Sequence, residues 1–299
     1  AIQQAVDILR STDTDDGNVL VFLSGESGVV RGISTLRRLV ESGGDKRIRE
    51  DTSPPAAPHP EYFRFHVDPE VGDDGSKKGR FGEPQIIGVY PFYGNIPPGL
   101  LDRAMQYRDG QEDRVLILAT SAAETGLTIP NIRYVVDTGL ERRSRENPML
   151  KMEELTTQRI TRSSMVQRMG RAGRLASGIC VRLYTADEEA EFEELPPPHI
   201  LEGNPEKVVL QLLWMRKRWG REPDLLDEVP PASFAAASRR LVELGALDGT
   251  VEAPGGPSWA GVALLRLGLS LRVGLFLLQC HLEGCLAEGQ LLAAILSCD

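Results

Sequence analysis

Up to position 200 the chain is punctuated by short apolar runs that do not alternate: VLVFL at 19–23, IIGVY at 86–90, VLILAT at 115–120, YVVDTG at 134–139 and ICVRLYT at 179–185. A strand with one wet face alternates apolar and polar residues, so continuous runs predict strands covered on both faces, as in a parallel sheet. Segments with helical spacing lie between them, VVRGISTLRRLV at 29–40 and PGLLDRAMQYR at 98–108, and this alternation predicts an α/β domain. Residues 42–84 interrupt the order with TSPPAAPHP and DDGSKKGR and read as a surface excursion.

After ELPPPHI at 194–200 the pattern changes. PEKVVLQLLWMRKRW at 205–219 predicts an amphipathic helix opened by proline, with Val208, Val209, Leu212, Leu213 and Met215 on its apolar face. SFAAASRRLVELGAL at 233–247 predicts a second helix stopped at Gly245, and DGTVEAPGG can turn back as a hairpin, so 203–258 suits a small winged helix. Residues 259–299 are leucine-rich and helical with glycine breaks. The expected division is therefore 1–200, 201–258 and 259–299, and the chain reads as a piece of something longer.

Composition narrows the classes. With 299 residues, 41% hydrophobic and 26% charged, the chain can bury a sizeable core in more than one domain. A net charge of −9 argues against a protein coated in basic surface, so any contact with nucleic acid must be local. The four cysteines form no C-x-x-C pair and the four histidines are scattered, which predicts reduced thiols, an intracellular location of open compartment, and no metal site. VGLFLLQCHL at 273–282 is too short to span a bilayer, and no membrane association is expected.

The octamer QRMGRAGR, 167–174, holds three arginines and two glycines. On a continuous helix Gln167, Arg171 and Arg174 would share one stripe and repel unless an anion sat among them. Val166, Met169, Gly170 and Gly173 would form a second stripe, where the glycines imply close backbone approach. The third apolar run leads into ATSAAETGLTIPNIRYVVDTG, 119–139, which puts Thr120, Ser121, Glu124 and Thr125 where open parallel sheets collect ligands. A turn in which Ser and Thr satisfy their own backbone is the competing reading. Ser24 and Gly25 end the first run, and YPFYGNIPPG at 90–99 follows the second. Hydroxyls, glycines and free amides on one edge suit a sugar–phosphate chain held by its backbone.

Taken in order, VLVFLSGES, PFYGNIPPGLLDRAM, ILATSAAETGLTIPNIRYVVDTG and QRMGRAGRLASGICVRLYT resemble the second RecA-like domain of DEAH-box (DExH) RNA helicases. The resemblance implies a RecA-like parallel sheet domain followed by a winged helix and the start of a ratchet-like helical domain. It implies that Gln167 positions the attacking water, that Arg171 and Arg174 act as arginine fingers, and that Met105, Gly126, Thr128 and Gly170 line the nucleotide. Ser24, Gly25, Gly94, Thr120 and Ser121 would face RNA, and TGLERRSRENPML, 138–150, would be a hairpin that helps separate strands. ATP and Mg²⁺ would be held mainly by the first RecA-like domain of the same protein. RNA, and a G-patch-type activator or a ribonucleoprotein complex, are the implied partners.

The chain also departs from the family pattern. Ser121 stands where asparagine is usual, Gly126 where serine is usual, Pro130 where an acid is common, and Met105 where an aromatic often stacks on adenine. Each change weakens one contact. The chain contains neither G-x-x-x-x-G-K-[ST] nor Asp-Glu-x-His, so it is not expected to hydrolyse ATP alone. Two functions fit: the C-terminal half of an ATP-dependent RNA helicase, or a helicase-derived scaffold that has lost turnover.

Overall fold

The computed structural model describes all residues except 12–16, 44–46, 52–61, 69, 72–76, 79–83, 95, 97–98, 100–101, 103–111, 126–128, 148–151, 175–176, 199–204, 222 and 297–299. Two compact units emerge: residues 1–143 with 155–196, and residues 144–154 with 197–299.

The first unit opens with helix α1 (Ile2–Arg10), which the apolar runs did not announce, followed by β1 (Asn18–Phe22) and α2 (Glu26–Glu41). All five residues of β1 are buried, as a strand covered on both faces requires. In α2, Val29, Ile33, Leu36 and Val40 are buried at helical spacing, and this stripe joins β1 and α1 in one core. Next come β2 (Ile48–Glu50), β3 (Phe63–Val67), the short antiparallel pair β4 (Glu70–Val71) and β5 (Lys77–Lys78), then β6 (Gln85–Phe92) and β7 (Arg114–Ala119). The chain continues through a 3₁₀ turn (Ser121–Glu124), β8 (Ile132–Asp137), β9 (Leu140–Asn147), β10 (Met152–Arg159), α3 (Arg162–Met169), β11 (Ile179–Arg182) and α4 (Ala186–Ala190).

Seven strands form one sheet in the order β11-β8-β1-β7-β6-β3-β2, while β9 and β10 pair separately. The five strands from β11 to β6 run parallel, and all five arise from the five apolar runs. β2 and β3 add on antiparallel. Part of the expected surface excursion is thus sheet: Phe65 and Val67 sink into the core from a segment whose Pro and Gly content hid it. The predicted helix at 98–108 falls almost wholly outside the described residues. Asn18 locks the centre, its side-chain NH₂ donating to the Pro130 carbonyl and its Oδ1 accepting from the Val115 N–H, both at 2.9 Å.

The second unit contains α5 (Pro205–Trp219), α6 (Pro231–Glu243), the hairpin β12 (Leu247–Gly249) with β13 (Pro254–Pro257), α7 (Trp259–Leu267), α8 (Leu271–Leu282) and α9 (Leu286–Leu296). Its core gathers Val209, Leu210, Ala237, Leu241, Ala246, Leu247, Leu264 and Leu271. Leu210, absent from the expected apolar face of α5, is 1% exposed, whereas Leu212 and Met215 are only half-buried. Gly261 lies across the core from Leu210. A Cβ there would come 2.1 Å from the Ala246 carbonyl oxygen and 3.2 Å from Leu210 Cδ1, so the bare glycine lets α7 approach Ala246 and Leu210 closely. Glu206 is buried at the start of α5 and pairs with Arg240 of α6 at 2.8 Å. No single described helix is long and apolar enough to cross a membrane; α7 and α8 reach that length and composition together but are bent by 116°.

Candidate functional site

Parallel strands deliver their carboxyl ends to one edge of the sheet, and hydrogen bonds tie those ends together. The Thr120 N–H donates to the Phe92 carbonyl at 2.9 Å, the Leu23 N–H to the Ala119 carbonyl at 2.8 Å, and the Thr138 hydroxyl to the Phe22 carbonyl at 2.9 Å. Ser24 and Gly25 leave β1 on this edge, with Gly25 capping α2. A Cβ on Gly25 would lie 2.7 Å from Arg142 Cδ, so the glycine gives Arg142 its place. Gly94 is exposed in a turn beyond β6. Thr120 Oγ1 accepts from the Ala122 N–H at 3.4 Å and caps the 3₁₀ turn, as the self-satisfied reading of this Ser/Thr cluster expects.

Helix α3 begins at Thr161, whose hydroxyl accepts from the Ser164 N–H. It carries Arg168 into the protein: the side chain is wholly buried. Its Nε donates to Glu124 Oε1 at 2.7 Å, and one terminal nitrogen donates to Asp137 Oδ1 at 2.8 Å and to the Leu140 carbonyl at 3.2 Å. The guanidinium also lies 4.8 Å from the centre of the Phe22 ring. Asp137 is served further by the Gly139 N–H at 3.0 Å and the Tyr184 hydroxyl at 3.2 Å. Burial pushes the Glu124 carboxyl up, and the Arg168 charge opposes that without overcoming it. For Arg168 burial acts downward, but Asp137 and Glu124 outweigh it and hold the guanidinium above its ordinary value.

The octamer does not form one continuous helix. Helix α3 stops at Met169, and the Arg171 and Ala172 N–H groups reach back only three residues, to the Arg168 and Met169 carbonyls, at 3.1 Å each. Gln167 is exposed on the helix, while Arg171 and Arg174 lie in the turns beyond it, so the expected stripe is broken between them. Like charges coexist because each arginine has its own surroundings. Arg168 is sunk between two carboxylates, Arg171 is 7% exposed and donates to the backbone carbonyl of Glu124, and Arg174 is exposed. Arg171 is held below its ordinary pKa by burial and by the nearby Arg174 charge, with Glu124 acting in the opposite sense. Two guanidiniums that repel in this way favour an anion.

The second stripe fails too. Val166 and Met169 are exposed, Gly170 has only the carbonyls of its own turn nearby, and a Cβ on Gly173 would meet open space among the described residues. Close backbone approach occurs instead at Gly178, where a Cβ would lie 2.1 Å from the Ala172 carbonyl oxygen.

The structure brings Thr120, Ser121 and Glu124 together with Arg168 and Arg171. Met105, Gly126 and Thr128 lie outside the described residues. Arg168, Asp137 and Tyr184 are not marked as site residues by any motif in the sequence; the one available signal is an acid closing an otherwise apolar strand, VVD at 135–137. Among the described residues no three His, Cys, Asp or Glu side chains could together hold a metal ion.

Residues 78–176 match the model of the helicase conserved C-terminal domain. Mouse (Mus musculus) ATP-dependent RNA helicase DHX33 is 40% identical over 167 residues, 56% of this chain and 24% of that protein. The Escherichia coli ATP-dependent RNA helicase HrpA is 31% identical over 210 residues, 70% of this chain and 16% of that protein. The crystal structure of the E. coli DExH-box NTPase HrpB matches with a TM-score of 0.68 and 28% identity, over 99% of this chain and 30% of that one. The chain thus spans less than a third of the length of these relatives. With its RecA-like α/β fold, its added helical segment and a helicase conserved C-terminal domain over residues 78–176, the chain is similar to a C-terminal part of the DEAH-box (DExH) RNA helicases.

Proposed function

We propose that this chain forms the finger-bearing side of an ATP site in an RNA helicase whose nucleotide is held mainly by a first RecA-like domain. Gln167 orients the attacking water, and Arg171 and Arg174 neutralise charge that builds on the transferred phosphoryl group. The observation that carries this reading is the pairing of two mutually repelling guanidiniums beside a strand-end turn, with Arg171 resting on the Glu124 carbonyl. That carbonyl is an exchangeable partner, which an anionic phosphate outcompetes. Mg²⁺ would be held by the first domain and would supply charge neutralisation there.

Ser24, Gly25, Gly94, Thr120 and Ser121 form the RNA face, supported by their common edge of the sheet. Residues 201–258 act as a winged helix and 259–299 as the start of a ratchet-like domain; a G-patch-type activator or a ribonucleoprotein complex follows from the resemblance. A second reading, a scaffold without turnover, draws on Thr120 and Arg171 already having partners within the chain.

The test is RNA-stimulated ATP hydrolysis in a protein carrying both RecA-like domains. Arg171→Ala should lower turnover by roughly a thousandfold or more while RNA affinity without nucleotide stays unchanged. Equal losses in both would make Arg171 an RNA contact, and no loss in either would favour the scaffold. The chain by itself should release no phosphate at any RNA concentration.

A further inference from the structure

Helix α8 ends in a turn with two backbone hydrogen bonds: the Cys285 N–H donates to the Cys280 carbonyl at 2.9 Å, and the Gly284 N–H to the His281 carbonyl at 3.3 Å. Gly284 has φ of +76°, in the left-handed region. This is the Schellman arrangement, which brings the side chain of the residue after the glycine onto the residue five positions earlier. The same turn after α6 joins Ala246 to Leu241 at 2.8 Å, with Gly245 at φ +69°, and there the paired side chains are buried and apolar. After α8 both paired positions are cysteine.

Both thiols are reduced in this structure, Cys280 is 8% exposed, and Cys285 is exposed. The first turn of α9 makes room for Cys280, because a Cβ on Gly289 would lie 2.7 Å from its Sγ. We propose that Cys280 and Cys285 form a redox-responsive dithiol, in which a small disulfide such as oxidised glutathione converts the pair to a disulfide that staples the α8–α9 turn. Exposure sets the order of events. The Cys285 thiolate attacks one sulfur of oxidised glutathione, forming a mixed disulfide and releasing one glutathione thiolate. Cys280 then gives its proton to water and attacks Cys285 Sγ, which expels the second glutathione. Two protein thiols are oxidised and one glutathione disulfide is reduced to two thiols. Burial and the hydrogen bond to Cys285 hold the Cys280 thiol above its ordinary value, which makes the second step the slower one.

The test treats the full chain with oxidised glutathione, blocks remaining thiols, and cleaves after glutamate without reductant. Cleavage at Glu283 and Glu288 separates Cys280, Cys285 and Cys298 into different peptides. The Cys280 peptide should remain joined to the peptide 284–288 and part only when reduced. Cys280→Ala should instead leave glutathione on Cys285, and Cys285→Ser should leave Cys280 open to the blocking reagent. Gly284→Ala keeps both thiols but strains the turn, and should shift the equilibrium against the link by about threefold. A link from Cys285 to Cys298, a persistent glutathione adduct in the unaltered chain, or no effect of Gly284→Ala would each overturn the proposal.

Discussion

The carboxyl edge of the sheet and the core of the helical unit solve the same packing problem with opposite chemistry. At the sheet edge a wholly buried arginine fills the space between Glu124, Asp137 and the Phe22 ring. In the helical unit the equivalent space is filled by Val209, Leu210, Leu241 and Leu264, and the one buried acid among its described residues, Glu206, has a half-exposed arginine partner. An apolar core accepts any neighbour of about the right volume. A buried ion cluster accepts only the correct charges in the correct places, because each lost partner leaves a desolvated charge behind. The unit that holds the candidate site therefore carries the less forgiving construction.

The largest expected effect breaks the ion cluster. Arg168→Ala should cost about 3–5 kcal/mol, since it leaves two buried carboxylates unpaired. All three tryptophans, Trp214, Trp219 and Trp259, lie in the helical unit, so amide exchange in β1 and β8 should report this loss directly. Protection that survives there would show that the cluster is dispensable.

Leu210→Ala is the apolar counterpart and should cost about 2–4 kcal/mol, read by tryptophan fluorescence during denaturation. Leu212→Ala should cost clearly less. If the two variants unfold at the same denaturant concentration, the orientation assigned to α5 is wrong. Thr161→Ala removes the cap of α3 and should cost about 1 kcal/mol, seen as faster exchange in the first turn of that helix alone.

The smallest effect concerns Glu188, whose carboxylate accepts from the Thr185 N–H in the capping box of α4 and is held below the ordinary carboxylate range by that bond first. A lowered folded value means a stabilising contribution present above the usual carboxylate pKa and lost as pH falls through the lowered one. In an NMR titration its midpoint should fall below that of the same segment as a free peptide; coincident midpoints would remove the capping box from the account.

The same contrast between apolar and ionic packing separates what the sequence makes legible from what it hides. Every strand of the parallel sheet left a short apolar run in the sequence, although β11 at the edge is not covered on both faces and leaves Ile179 58% exposed; α5 matched its predicted limits from Pro205 to Trp219. Arg168 left no such trace. Its partners lie 44 and 31 positions away, and nothing local distinguishes a sunken arginine from the two beyond it. The helix end at Met169, which separates Gln167 from Arg171 and Arg174, is not marked by the glycine after it, whose backbone is itself right-handed helical at φ −61° and ψ −14°. β2 and β3 stayed hidden because they are short, partly polar and flanked by turn-forming residues. The turn holding Cys280 and Cys285 was legible only as a glycine break, since chain order does not say which side chains a left-handed residue will bring together.

The antiparallel pair at the sheet margin has a consequence for how the molecule behaves among its own copies. β6 is eight residues long with its last six buried, and an uncovered margin of that kind would be a template for pairing with another chain. β3 covers it, and the outermost strand, β2, offers neighbours only three residues, two of them the exposed charges Arg49 and Glu50. Asp68 clasps the Arg49 guanidinium at 2.6 and 2.8 Å and keeps that charge in place. The polar stretch that interrupts the apolar rhythm of the sequence thus shields the sheet from edge-to-edge pairing, and trimming it to tidy the domain would uncover the long, buried β6.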